Sequence, residues 1–90
     1  LPPNGVYSGC AKLNGKFYRA ALNIGFRPTI ATGKLQVRIE AHLLDFSGEL
    51  YGRELEIEIG EKLRDEKKFA SQEELKQQIA RDVAEVKKRF

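Results

Sequence analysis

The stretch LQVRIEAHLL, residues 35–44, decides the fold of this chain. Every second residue from Leu35 to Leu43 is apolar, and most of the residues between them are polar. A repeat of two residues is the period of a β-strand, whose successive side chains point to opposite faces. The stretch therefore predicts a strand with one apolar face, and an opposite face on which Arg38, Glu40 and His42 lie side by side.

The segments around this strand indicate more strands joined by turns. Residues 5–11 and 16–24 are plausible strands, and the Asn14-Gly15 pair between them is a strong signal for a hairpin. Glycine and proline in residues 25–29 are expected to break the second strand. Residues 53–59 alternate again, with glutamates opposite leucine and isoleucine. We therefore expect a mainly antiparallel sheet that is closed or nearly closed into a barrel.

The end of the chain changes from a strand period to a helix period. Ser71, with Glu74 three residues later, forms the capping box of a helix. An apolar stripe then follows at spacings of three and four residues: Leu75, Ile79, Val83, Val86 and Phe90. We expect strands between about residues 5 and 63, and a helix over about residues 71–90 that packs on the sheet.

Length and composition exclude several classes of protein. The 90 residues are 41% hydrophobic and 32% charged, with a net charge of +3, which is typical of one small globular domain. The single cysteine excludes a disulfide framework and any multi-cysteine zinc site. The basic residues form no dense stripe, and no apolar run reaches the ~18 residues of a membrane span, so we expect neither nucleic acid nor membrane as a partner. Because the chain begins at Leu1 without a methionine, we expect a longer parent protein.

Two groups of residues could carry chemistry, and each allows two interpretations. Glu40 could be a cross-strand ion-pair partner, or a general base held on a rigid strand. The segment from Arg64 to Phe69 could be a solvated connector, or could offer a planar cation and an aromatic ring to a flat ligand. His42 is the single histidine, and because no second histidine or cysteine lies nearby in the sequence we expect no transition-metal site.

Six motifs, taken together and in order, identify a family resemblance. They are GVY at 5–7, NIGFRPT at 23–29, EAHLLDF at 40–46, GELYG at 48–52, LRDEKKF at 63–69 and QIARD at 78–82. Along all 90 residues the chain resembles the riboflavin kinase domain that ends bacterial bifunctional riboflavin kinase/FAD synthetases. The resemblance implies an antiparallel riboflavin-kinase-like β-barrel with a C-terminal helix. Residues 1–90 would then be a partial kinase domain whose first strands are missing.

The resemblance also implies an activity and its site residues. Riboflavin kinases transfer the γ-phosphate of ATP, bound with Mg²⁺, to the 5′-hydroxyl of riboflavin to give FMN. The residues implied are Glu40 as catalytic base, Arg64, Glu66 and Phe69 for the flavin, and Phe46 and Tyr51 for the nucleotide. The family's G-F-P-T-A-N segment, whose threonine and asparagine hold Mg²⁺, has no counterpart here, so we assign no metal ligand.

The expected partners follow from the same resemblance. They are riboflavin, ATP and an N-terminal adenylyltransferase module of the parent chain, in the cytoplasm. We expect the isolated 90 residues to be inactive, and dimeric or aggregation-prone because a barrel without its first strands has an unpaired edge. The alternative is a small non-catalytic β-barrel module that binds flavin or nucleotide.

Overall fold

The computed structural model describes residues 3–50 and 52–90, and contains one sheet and one helix. The elements are β1 (Gly5–Leu13), β2 (Lys16–Pro28), β3 (Leu35–Leu43), β4 (Glu56–Arg64) and α1 (Gln72–Arg89). The strand order is β3-β2-β1-β4 with every pair antiparallel, which confirms the predicted sheet and C-terminal helix. Within the described ranges the sheet is open, with β3 and β4 at its edges. These residues therefore do not form the closed barrel that the alternation allowed.

The turn between β1 and β2 is the predicted hairpin. Asn14 and Gly15 both have positive φ, at 51° and 78°, as the tight turns that match the twist of a hairpin require. Leu13 and Lys16 are the first pair of the ladder on either side of that turn. The two-residue loop therefore fixes the register of the whole β1–β2 pair.

Two strand boundaries differ from the prediction because pairing with a neighbour overrides the local signal. β2 does not stop at Ile24: Gly25 pairs with Arg38, and the ladder to β3 continues as far as Pro28. β4 begins at Glu56 and runs on to Arg64, since its partner β1 remains available as far as Val6. The chain reverses direction only after Pro28, where backbone hydrogen bonds close the turn over residues 29–34.

Apolar side chains pack on both faces of the sheet. On one face, Leu22 and Ile24 are buried together with Tyr7 and Ala20. On the opposite face, a second buried cluster joins the sheet to the helix, and its members are Ala21, Leu44 and Val86. α1 thus lies against β2 and β3, on the same face as Glu40 and His42.

The apolar face of β3 is only partly covered, contrary to what its pattern suggested. Ala41 and Leu43 pack against the first cluster. Leu35, Val37 and Ile39 are 58%, 47% and 41% exposed. The reason is topological, because β3 is an edge strand of the described sheet and has a neighbour on one side only.

The helix begins as predicted and packs its predicted apolar stripe towards the core, except at Phe90. The Ser71 side chain accepts a hydrogen bond from the Glu74 backbone N–H at 3.2 Å, which confirms the N-cap. The most buried helical residues are Gln78, Asp82 and Val86, while Phe90 of the predicted stripe is 48% exposed. In the part of the chain that the structure describes, no helix combines the length and the apolar character needed to cross a membrane.

Candidate active site

Glu40 lies in the middle of β3, directly opposite Asn23 of β2. Its side chain is 53% exposed, and its Oε1 lies 3.7 Å from Nε of Arg38, two residues away on the same face. An exposed ion pair of this length contributes little to stability, typically below ~1 kcal/mol. Both sequence-based interpretations therefore have a counterpart in the structure: Glu40 has an ion-pair partner, and its carboxylate remains open to solvent.

A cleft of about 150 Å³ opens beside Glu40. Its lining residues are Asn4, Asn23, Gly25, Phe26, Arg27, Arg38, Glu40 and Glu66. Pockets that enclose a whole drug-sized ligand measure roughly 300–1,000 Å³, so this cleft has room for the reacting end of such a ligand. Its walls carry two carboxylates and two guanidinium groups together with neutral amides.

Glu66 reaches the cleft from the segment that follows β4. A Cβ atom placed on Gly25 would lie 3.0 Å from Oε1 of Glu66, so the carboxylate rests close against the backbone of β2. The absence of a side chain at Gly25 makes this approach possible. The structure thus brings Glu40 and Glu66, which are 26 positions apart in the chain, to one cleft.

Arg64 is not among the residues that line this cleft, and its side chain is held by the helix. Its Nε and Nη2 donate to the two carboxylate oxygens of Asp82, at 2.8 and 2.7 Å, in a bidentate pair. The side chains of Arg64 and Asp82 are only 19% and 9% exposed. A second, much smaller cavity of about 20 Å³ is lined by both of them, by Glu40 and by His42. The buried ion pair therefore adjoins the strand that carries Glu40.

The environment of Asp82 keeps its carboxylate ionised. Burial alone would raise the pKa of Asp82, but hydrogen bonds from Arg64 and Gln78 outweigh burial and hold that pKa below its ordinary value. The charge on Arg64 acts in the same direction. Asp82 is thus a carboxylate stabilised by its neighbours, and it does not resemble a group prepared to exchange protons near neutral pH.

Phe46 and Phe69, two of the remaining predicted site residues, are not among the residues that line the cleft. Phe69 is half-buried. Phe46 packs edge-on against Tyr18, with ring centroids 5.2 Å apart. Tyr51 lies outside the described residues. The structure therefore places Glu40 and Glu66 at one cleft and Arg64 at a small cavity that Glu40 also lines, and neither Phe46 nor Phe69 lines the cleft.

The described residues do not provide an evident metal site. Across residues 3–50 and 52–90, no three histidine, cysteine, aspartate or glutamate side chains cluster closely enough to hold a metal ion. Glu40 and Glu66 are the two carboxylates of the cleft, and no Mg²⁺ ligand is assigned among these residues.

Gln78 and Asp82 form a hydrogen-bond network with Arg64 that their motif did not predict. Both belong to a motif that was singled out, yet neither was placed at the site. The available signal was their spacing of four residues, which puts two polar side chains on one face of a helix. That face is the buried one, where polar groups need partners.

Comparison with known proteins shows the family of the chain. Residues 1–90 match the family described as Flavokinase: Riboflavin kinase. The chain belongs to this riboflavin kinase family.

The relatives are larger proteins. The chain is 45% identical, over 93% of its length, to a bifunctional riboflavin kinase/FMN adenylyltransferase of Pseudomonas fluorescens. It is 40% identical, over 97% of its length, to the RNA-binding riboflavin kinase RibR of Bacillus subtilis. It spans 27% and 37% of the lengths of these two proteins.

The fold has a counterpart among solved structures. The whole chain superposes with a TM-score of 0.82 and 28% identity on the crystal structure of a macrolide-efflux protein from Streptococcus pneumoniae, covering 29% of that chain.

Proposed function

We propose that this chain is part of the kinase module of a riboflavin kinase/FMN adenylyltransferase, and that the intact protein transfers the γ-phosphate of ATP to the 5′-hydroxyl of riboflavin. The observation that carries the proposal is the position of Glu40: a half-exposed carboxylate, fixed mid-strand, opening into a cleft shared with Glu66. A base for an alcohol must be held within hydrogen-bond reach of the hydroxyl proton. Glu40 meets this requirement because its strand, β3, is rigid: β3 pairs with β2 along its whole length, from Leu35 to Leu43.

Glu40 acts as the base of the proposed reaction. The riboflavin 5′-oxygen forms a bond to the γ-phosphorus while its proton passes to the Glu40 carboxylate, and the bond from phosphorus to the bridging oxygen breaks to release ADP. In phosphoryl transfer, Mg²⁺ bound with the nucleotide neutralises charge that develops on the phosphoryl oxygens. The guanidinium groups of Arg27 and Arg38, on the walls of the same cleft, add positive charge beside the reacting atoms.

The flavin-binding residues of the proposal are Arg64, Glu66 and Phe69. Glu66 has the most direct support, since it shares the cleft with Glu40. Arg64 donates three hydrogen bonds, to Asp82 and to the backbone of Asp65, which set the plane of its guanidinium group. Phe69 and the nucleotide-binding pair Phe46 and Tyr51 rest on the family resemblance.

The domain organisation is part of the same proposal. Relatives named as bifunctional carry an FMN adenylyltransferase as well as a kinase, and this chain spans about a quarter of their length. We propose that residues 1–90 are part of the kinase domain of such a protein, which works in the cytoplasm. We propose neither RNA binding nor macrolide efflux, because the cleft walls mix both signs of charge and the family match concerns riboflavin kinase.

Assays on the intact protein test this proposal. FMN formation from riboflavin and ATP is measured for the wild type, for Glu40→Gln and for Glu58→Gln, a matched control at an exposed mid-strand position of β4. We expect FMN formation by Glu40→Gln to fall by at least about 100-fold, the lower range for loss of a general base, and Glu58→Gln to remain within twofold of the wild type. The dissociation constant for riboflavin, from quenching of its fluorescence, should change little in either variant.

The alternative of a non-catalytic module makes a different prediction. A wild type that binds riboflavin or ADP but forms no FMN would support that alternative. A wild type that binds single-stranded nucleic acid and ignores flavin would contradict both flavin-based accounts.

A further inference from the structure

A buried hydrogen-bond network joins the end of β4, the helix and the segment between them. Asp82 accepts the bidentate pair from Arg64 and a third hydrogen bond, at 3.0 Å, from the side-chain amide of Gln78 one turn earlier. Charge-assisted bidentate pairs fix the relative orientation of their partners as well as their distance. Asp82 therefore sets where the end of β4 lies relative to α1.

The same network holds the two residues on either side of Glu66. Nη1 of Arg64 donates to the backbone carbonyl of Asp65 at 3.0 Å. The side-chain oxygen of Gln78 accepts from Nζ of Lys67 at 3.4 Å. Glu66 itself donates or accepts none of these bonds. The two residues that flank Glu66 in the chain are thus both hydrogen-bonded to the network, and Asp65 is also paired with Lys62 at 2.6 Å.

Stability alone does not account for a buried ion pair at this position. Hydrophobic residues of similar volume in place of such a pair often give equal or greater stability, because desolvating two charges is costly. An ion pair with fixed geometry does supply orientation, which a substrate-binding segment requires. The polar partners here connect directly to the residues that flank Glu66.

We propose that Asp82 is a positioning residue for the substrate-binding segment 65–67: through Arg64 and Gln78 it fixes Glu66 opposite Glu40 and so sets the affinity for the flavin. This inference rests on the proposed function. It predicts that loss of the network weakens riboflavin binding selectively. The phosphoryl transfer step should remain largely intact once substrate is bound, because the network does not contact Glu40 by a hydrogen bond.

Steady-state kinetics on the intact protein, together with flavin titration, test the proposal. Asp82→Asn keeps the shape of the side chain and removes its charge. We expect the KM for riboflavin and its dissociation constant to rise by about tenfold, within the range for a displaced binding group, while kcat and the KM for ATP stay within twofold. Glu85→Gln is the matched control: it lies on the same helix, in an exposed ion pair with Arg89 at 3.7 Å, and should leave all four quantities unchanged.

A second variant covers the case in which Asp82→Asn does not fold. Gln78→Met retains length and helix propensity but cannot donate to Asp82 or accept from Lys67, and we expect it to raise the riboflavin KM about threefold with little change in kcat. The positioning role would be overturned if both variants kept the wild-type KM and dissociation constant for riboflavin. In that case kcat would fall only in proportion to the amount of folded protein lost. A wild type that forms no FMN would contradict the proposed function instead, and the flavin titration would then decide the positioning role by itself.

Discussion

Replacement of Asp82 by asparagine should destabilise the fold by an amount that depends on pH. The side chain accepts three hydrogen bonds, two from Arg64 and one from Gln78, and is almost fully buried. Asparagine has nearly the same shape, so packing is preserved while the charge is removed. The comparison therefore isolates the electrostatic part of the interaction.

The expected magnitude follows from the geometry of the pair. Removing one partner of a buried ion pair typically costs 3–5 kcal/mol, because the other charge is left without compensation. Here the asparagine carbonyl can still accept one hydrogen bond, and Arg64 remains 19% exposed and so partly solvated. We therefore expect a loss of about 2 kcal/mol in the free energy of unfolding at pH 7. For a domain of this size such a loss lowers Tm by roughly 8–16 °C.

The pH dependence has a definite sign. The pKa of Asp82 is lowered in the folded state by its hydrogen bonds from Arg64 and Gln78, in opposition to burial. In the unfolded chain this carboxyl has the ordinary aspartate pKa of about 3.9. The ion pair therefore makes its full contribution to the free energy of unfolding above the unfolded-state pKa. This contribution is lost as the pH falls through the lower pKa of the folded state. The difference between wild type and Asp82→Asn should accordingly be largest near neutral pH and should shrink below about pH 4.

Denaturant unfolding, followed by circular dichroism at 222 nm, measures this difference at pH 7 and at pH 3. Glu85→Gln, which breaks an exposed ion pair on the same helix, is the control and should change the free energy of unfolding by less than about 0.5 kcal/mol at both pH values. A deficit for Asp82→Asn that is equal at the two pH values would refute the assigned ionic role. So would a deficit no larger than that of the control.

Three further predictions concern the sheet, the helix start and the exposed edge. Gly9→Ala should abolish cooperative unfolding in thermal melts, because the added Cβ would lie 2.6 Å from the carbonyl oxygen of Glu58 on the paired strand; a melt like that of the wild type would be evidence against the β1–β4 packing. Ser71→Ala should lower the free energy of unfolding by about 1 kcal/mol through loss of the N-cap, and a change below 0.3 kcal/mol in denaturant titrations would contradict this. The isolated chain should self-associate through the apolar edge at Val37 and Ile39, so Val37→Lys should shift it towards monomer in light scattering, and a wild type that is already monodisperse and monomeric would disprove self-association.

Local features of the sequence predicted those parts of the fold that depend on neighbouring residues. Asn14-Gly15 predicted the hairpin because both positions tolerate positive φ. Ser71 predicted the start of the helix because its side chain accepts a hydrogen bond from a backbone N–H that has no partner within the helix. The extension of β2 beyond Gly25 was missed because it depends on pairing with β3, and local glycine and proline signals do not contain that information. Exposure of Val37 was missed for a similar reason, since an alternating pattern gives the direction of a side chain but not what covers it.

For the candidate site, too, the sequence predicted some features and could not predict others. Glu40 was recognisable from its place in the strand and from the family resemblance. Its proximity to Glu66 depends on the path of the chain after β4 and on the space left by Gly25. The pair between Arg64 and Asp82 joins residues 18 positions apart in different elements, so no local spacing rule reveals it. Distances of this kind become known only when the elements are packed together.

A single-turnover measurement tests most directly whether Glu40 accepts the proton of the attacking hydroxyl. The intact protein, at saturating riboflavin and ATP, is mixed and quenched, and FMN is quantified for the wild type, Glu40→Asp and Glu40→Gln. The rate constant should fall in that order, with a loss of at least about 100-fold for Glu40→Gln, because aspartate keeps a carboxylate one methylene further from the substrate and glutamine keeps none. If the Glu40→Gln protein forms FMN in a single turnover at the wild-type rate, Glu40 is not the base.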